Sequence, residues 1–230
     1  MLINLGEQLR KYNIETKGII HCGAHYCEEH DDYVSYGICN FFYIEPCKEA
    51  YDKMRLRFNL FTEGCGNRYG YRQIANKYFV RNDIKDNIEL INCACGSEEG
   101  QKVMYTSNNN EGQSNSLLEP NLHLQQHPEV VFDEAELVTV ALLDNIVSGK
   151  YNILAMDCQG FEGEVLKGAT ETLKHIDCIY SEVNRGDTYR GNMLIEEMDE
   201  YLKDFTRVET YWPSPSWTWG DAVYIRKTLL

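Results

Sequence analysis

No stretch of this sequence approaches the roughly 18 consecutive apolar residues that a membrane-crossing helix needs. The first fifteen residues, MLINLGEQLRKYNIE, mix acids with bases and lack a signal-like apolar core. Both shortfalls lead to the expectation of a soluble, cytoplasmic protein that engages no membrane. Basic residues are scarce too: 22 lysines and arginines stand against 36 acids, a net charge of −14. That balance repels phosphate backbones, so long nucleic acids are not expected as partners. Proline is sparse, and no CxxC spacing occurs among the nine cysteines, which cannot all pair within one chain. Reduced, structural thiols are expected rather than a disulfide scaffold.

What is present is an ordinary globular composition, 43% hydrophobic over 230 residues, enough for one domain. Residues 1–17 hold a short leading helix over Gly6–Tyr12. KGIIHCG then reads as a buried strand ending at a glycine, and the polar stretch Tyr26–Tyr36 as a helix. NFFYIEP is a second strand closed by Pro46, and CKEAYDKMRLRF a helix with Ala50, Met54 and Phe58 on one face. NIELINCACG is a third strand. QIANKYF reads as a short helix inside a first insertion, 59–87. QKVMYTS and EAELVTVALLDNI supply further strands around a second, polar insertion, 107–135. YNILAMDCQG is a central strand, followed by a helix with Phe161, Val165, Leu166, Ala169 and Leu173 on one stripe. IDCIYSEVN, the helix MLIEEMDEYLKDF and an edge hairpin of TRVETYW with GDAVYIRK complete an α/β three-layer sandwich.

In open α/β sheets, ligands bind beyond the carboxyl ends of the strands. The candidates are the polar residues there. Gly23-Ala24-His25 is a turn of small residues that lets a ligand approach the backbone. Glu45 follows 22 residues after Gly23, close to the spacing of an acid that binds ribose hydroxyls. The same pattern also describes a tight turn and a strand-end acid with no ligand. Asp157, Gln159, Gly160 and Glu162 occupy the turn after the central strand, where Glu162 also suits a helix dipole. Glu182 ends the adjoining strand. Asp157 and Glu182 are placed to orient a hydroxyl, act as a general base, or share a divalent cation.

No metal site is assigned. HYCEEH is not HExxH, and His21 and His25 lie on a strand and on the turn after it. His123 and His127 in HLQQH have helical ligand spacing but sit in an irregular polar region, so surface histidines are expected.

In this order, IIHCGAHYCEE, FFYIEP, INCACGSEEGQ, SNSLLEP, LDNI, NILAMDCQGFEGEVLKGA, IYSEVN and WGDAVYIRK resemble the FkbM family of S-adenosylmethionine-dependent methyltransferases. MDCQGFEGEVLKGA is the most specific segment. The resemblance implies a Rossmann-like methyltransferase fold: a mostly parallel seven-stranded sheet with an antiparallel edge hairpin and helices on both faces. It implies that Gly23 and Ala24 flank the methionine part of S-adenosylmethionine, with His25 and Glu28 pointing toward that pocket. Glu45, with Pro46 beside it, is implied to hold the ribose, and Cys93 and Ala94 to flank the adenine. Ser114 and Ser116 are implied near the active site, and Asp157 and Gln159 where cofactor and acceptor meet. His21 and Cys27 depart from the common methyltransferase pattern.

The implied chemistry is methylation of a hydroxyl, commonly on a sugar or glycan, with Asp157, His25 and Glu182 as candidate bases. A divalent cation binding a sugar diol is an alternative to the base, without support from spacing. A different hydroxylated acceptor, an RNA cap, or a non-catalytic binding module are the other readings. Tyr189, Trp212, Trp217 and Trp219 are aromatic candidates for stacking on a sugar, or for packing.

Overall fold

The computed structural model describes residues 1–58, 78–79, 87–148 and 150–230. Its main sheet is built on two short, wholly buried strands, β1 (Ile19–Cys22) and β8 (Ile153–Met156), paired in parallel. Alternate residues serve opposite faces, as the pleat requires. Ile20, Cys22, Leu154 and Met156 enter one apolar cluster, and Ile19, Ile153 and Ala155 the other. Flanking them are β2 (Asn40–Ile44), β4 (Asn87–Ile91), β9 (Cys178–Asn184), β10 (Phe205–Tyr211) and β11 (Trp219–Arg226), in the order β10-β11-β9-β8-β1-β2-β4. Only β11 runs against the rest of these seven, forming the expected edge hairpin with β10. Two-residue β3 (Tyr78–Phe79) adds antiparallel to β4.

Helices cover both faces, so the Rossmann-like methyltransferase architecture is met. Helices α1 (Leu5–Lys11), α2 (His30–Ser35) and α3 (Lys48–Arg57) give Leu5, Leu9, Tyr33, Tyr51 and Met54 to one cluster. Helices α5 (Leu143–Ile146), α6 (Glu162–Lys167) and α7 (Ile195–Tyr201) give Leu143, Ile146, Val165, Leu166, Ile195 and Met198 to the other. Among the described residues no helix is long and apolar enough to cross a membrane.

Several expected elements differ. The helix over Tyr26–Tyr36 is only α2, because His25 and Cys27 have φ of 45° and 57°, a left-handed backbone that no α-helix accommodates. The third strand stops at Ile91. Asn92 turns its side-chain amide to the Glu45 and Pro46 carbonyls (2.9 Å each), and Ala94–Cys95 (β5) leaves for a second sheet. That sheet has the order β5-β7-β6, with β6 (Gly100–Thr106) and β7 (Glu134–Ala141) antiparallel. Cys93 and Ala94 therefore lie at the crossing between sheets rather than at the end of a main-sheet strand. Helix α6 ends at Lys167, and Asp144 caps a separate 3-10 turn, Thr172–His175, by accepting from the Glu171 and Thr172 backbone N–H groups. The helix expected in QIANKYF falls largely outside the described residues, apart from Tyr78 and Phe79, which are extended; so does most of 59–87.

Candidate active site

The loops leaving β1, β2, β8 and β9, together with the 107–130 segment, enclose a cavity of about 570 Å³. Gly23, Ala24, His25, Glu28, Glu45, Pro46, Cys93, Ala94, Ser114, Asp157, Gln159 and Glu182 all line it. Ser116 does not. It is fully buried behind the wall, donating to the Gln159 carbonyl (2.7 Å) and accepting from the Leu118 N–H (3.0 Å), so it positions the Gln159 turn.

Gly23 and Ala24 direct their N–H groups to the Ile44 carbonyl (2.9 and 3.1 Å), which holds the first turn against the end of β2. Glu45 follows, buried, with one oxygen accepting from the His25 N–H (2.9 Å) and the other from the Cys47 N–H (2.8 Å). Burial pushes its pKa up to about 7 against the pull of those two donors. A carboxylate has about four lone-pair sites, so both oxygens still have room for two neighbouring ribose hydroxyls.

The His25 ring is committed at both ends. Nδ1 meets Glu28 Oε1 at 2.6 Å and Nε2 meets the Glu111 carbonyl at 2.9 Å. A carbonyl only accepts, so Nε2 carries a hydrogen, and the Glu28 carboxylate favours one on Nδ1 as well. Burial lowers the His25 pKa, but the Glu28 and Glu111 hydrogen bonds outweigh it and leave the value raised. The imidazole thus clasps the 107–116 loop to the turn that follows β1.

On the opposite side Gln159, with φ of 51°, connects three groups. Tyr189 Oη donates to its Oε1 (2.7 Å), which fixes the amide orientation. Its Nε2 donates to Asp157 Oδ1 (2.7 Å) and Glu182 Oε2 (3.1 Å). Desolvation within the site, then the nearby Asp221 charge, raise Asp157 to about 6, although its side chain is open to the cavity. Glu182 is raised further, by burial and by Asp157, Glu162 and Asp221.

Two cavity residues escaped the sequence reading. Asp221 lies directly opposite Glu182 in the antiparallel pair, though the strand motif containing it was itself recognised. His123 is not on the surface: it is 4% exposed, lines the cavity, and places Nε2 3.2 Å from Ser114 Oγ. Burial and the neighbouring His127 lower it to about 4, so it is neutral. Glu162, on the first turn of α6 and outside the cavity lining, is 2% exposed and accepts from the Cys158 N–H (2.7 Å), and burial raises it to about 8. Of the aromatic candidates, Tyr189 and Trp219 line the cavity, and Trp217 stacks on Trp219 at 5.4 Å. Among the described residues no group of three or more His, Cys, Asp or Glu is arranged to hold a metal ion.

The FkbM methyltransferase domain matches residues 21–208, a span running from β1 through β10 and containing most of the cavity wall. The chain belongs to the FkbM methyltransferase family. A 2-O-methyltransferase, NoeI, of Sinorhizobium fredii (strain NBRC 101917 / NGR234) is 28% identical over 155 residues, covering 63% of this chain and 62% of that protein. A methyltransferase FkbM from Methylobacillus flagellatus KT superposes with a TM-score of 0.55 at 16% identity, over 90% of this chain and 43% of that one. This FkbM chain thus spans less than two thirds of the length of either relative. The magnesium protoporphyrin IX methyltransferase ChlM of Synechocystis PCC 6803, solved with bound SAM, gives 0.50 at 7% identity, over 97% of this chain and 76% of that one. The fold is that of S-adenosylmethionine-dependent methyltransferases.

The FkbM chain's cavity fits that cofactor on its own chemistry. Glu45 offers a buried acceptor for the ribose, the carboxylates along the cavity suit the cofactor's positive charge, and the cavity volume lies within the range of cofactor sites.

Proposed function

We propose that this protein transfers the methyl group of S-adenosylmethionine to a hydroxyl of a sugar or glycan. One observation carries the reading. A single cavity joins the glycine turn and Glu45 to the Asp157–Gln159–Glu182 network, with Tyr189 and Trp219 on its wall. When bound, the cofactor supplies an electrophilic methyl. The protein's task is to hold the hydroxyl in line within about 3–3.5 Å and take its proton. Gly23, Ala24, Glu45 and Pro46 are assigned to the methionine and ribose portions, and Cys93 and Ala94 to the adenine.

Asp157 is the base in this reading. Its Oδ1 is oriented by Gln159, and its pKa of about 6 leaves it ionised at neutral pH while still able to hold a proton. Glu182, further raised, is a partner for the substrate hydroxyl. His25 has both ring nitrogens occupied and serves to hold Glu28 and the Glu111 loop, with Ser114 and Ser116 supporting the opposite wall. Tyr189 and Trp219 offer apolar rings to a sugar face.

An RNA cap is disfavoured. The described cavity residues include seven carboxylates and no lysine or arginine to meet its phosphates. The test has two parts. Calorimetry with S-adenosylhomocysteine on wild type and Glu45→Ala should give binding and its loss. Mass spectrometry of candidate glycans incubated with protein and cofactor should give a gain of one CH2. No binding by wild type overturns the reading.

A further inference from the structure

The carboxyl ends of β8 and β9 and the facing part of β11 present three acids side by side. Met156 pairs with Ser181, so Asp157 and Glu182 are the next positions along their parallel strands, and Asp221 pairs across to Glu182. Glu182 and Asp221 are each only 6% exposed. Like charges directly opposite in a sheet destabilise it unless something compensates.

The existing compensation is partial. Gln159 donates to Asp157 and to Glu182 Oε2. Asp221 Oδ2 accepts from Tyr180 Oη and from the Leu2 N–H. The Met1 amino group, also facing the cavity, is 3.4 Å from Glu29 Oε1, and its charge acts on Asp221 and Asp157 but is not among the groups acting on Glu182. Glu182 Oε1 makes no hydrogen bond of good geometry, although it is buried and its residue lines the cavity; the Asn184 side chain is the one neighbouring group that eases its charge. An isolated buried carboxylate oxygen is costly, and a charge-assisted donor from a ligand removes the cost.

A second buried orphan points the same way. Ser114 Oγ accepts from Asn110 Nδ2 (2.8 Å), so its own hydrogen is available to His123 Nε2. That network assigns the hydrogen of the neutral imidazole to Nδ1, which has no partner in the cavity wall. The site therefore lacks a strong donor at Glu182 and an acceptor oxygen at His123.

We propose that the acceptor is an amino sugar with a free, protonated amine, its ammonium set against Glu182 and Asp221 and a ring or hydroxyl oxygen set against His123. This rests on the methyltransferase reading above and specifies its substrate class. The cofactor brings one sulfonium and one ammonium. Asp157 is taken up by the transfer itself, and the Glu182–Asp221 pair, with Glu182 Oε1 unbonded, is left for a further cation. An uncharged sugar leaves Glu182 Oε1 unmatched, and a uronic acid adds repulsion.

The test compares methyl transfer to matched acceptors, glucosamine, glucose and glucuronate, and the corresponding galactose trio, using methyl-labelled cofactor. Glucosamine or galactosamine should exceed its neutral counterpart by about tenfold or more in kcat/KM, the scale of one charge-assisted hydrogen bond. The uronates should be unused. Glu182→Gln, which removes no existing hydrogen bond at Oε1, should bring the amino-to-neutral ratio down to about one, and Asp221→Asn should lower it as well. Binding of S-adenosylhomocysteine is measured separately on the same protein. If it binds and the amino sugars are used no better than the neutral ones, or not at all, the amine assignment is overturned and the methyltransferase reading stands. A preference that survives in both variants also overturns it. If S-adenosylhomocysteine does not bind, both fall together.

Discussion

Gly23 and Asp157 touch backbone to backbone: a Cβ placed on Gly23 lies 1.8 Å from the Asp157 carbonyl oxygen. The turn proposed to receive the cofactor and the strand end that carries the proposed base are thus in contact through a position where only glycine fits. Gly23 also has φ of 76°, a conformation unfavourable to L side chains. Gly23→Ala should force β1 and β8 apart at their carboxyl ends. The expected loss is roughly 2–4 kcal/mol in denaturant unfolding, together with loss of S-adenosylhomocysteine binding by calorimetry. Retention of both would show that the contact is unimportant.

The buried carboxylates set a pH dependence of stability. Burial raises Glu45 to about 7 and Glu162 to about 8, both above their values in an unfolded chain. Between the unfolded and folded values the native protein binds more protons than the unfolded one. Stability from these groups is therefore full below about pH 4 and falls as pH rises through 7 to 8, by up to about 1.4 kcal/mol per pH unit for each group titrating. Urea unfolding at pH 5.5 and pH 8 should give the lower stability at pH 8. The cationic cofactor should narrow the gap, because it favours the ionised forms. A flat or rising profile without cofactor would contradict the burial of these acids.

The parts of this site legible in the sequence are those fixed by local pattern. The apolar runs Ile19–Cys22 and Ile153–Met156 announce central strands, and the polar residues that end them mark the cavity. The turn at 23–29 was less legible, because left-handed backbone at His25 and Cys27 has no glycine to signal it. NIELINCACG reads as one strand by its apolar content. The break at Asn92 depends on carbonyls of Glu45 and Pro46, which are remote in sequence. His123 and Asp221 were missed for a related reason. Their burial comes from chain segments that meet only after folding, and polar residues carry no local signature of a buried fate.

Asp157→Asn removes the proposed proton acceptor while preserving shape. Turnover should fall by about 10²–10⁴-fold, the usual contribution of a positioned base. Because the base must be ionised, kcat in the wild type should rise with pH and level off, with its inflection at or below about 6 once the cationic cofactor is bound. The variant should lose that inflection. Stopped assays across pH 5 to 8 under saturating substrate check both. A variant with wild-type turnover would move the base to Glu182.

His25→Gln tests the clasp. The wild-type imidazole reaches Glu28 on one side and the Glu111 carbonyl on the other, and Tyr26 Oη donates to that same carbonyl at 3.3 Å. Glutamine has one acceptor and one donor end, so it cannot present a donor to both Glu28 and Glu111 in the same geometry. Loosening the loop should raise the S-adenosylhomocysteine Kd by about tenfold, in line with the loss of one charge-assisted hydrogen bond. Amide exchange at Gly112–Ser116 should quicken, because these residues fold back under Glu111 through the Gly112–Ser107 and Asn115–Gly112 backbone bonds. The Asp157 pH inflection should be unaffected, since His25 makes no hydrogen bond to that network. A shift of the inflection with unchanged loop exchange would instead make His25 part of the proton-transfer chemistry.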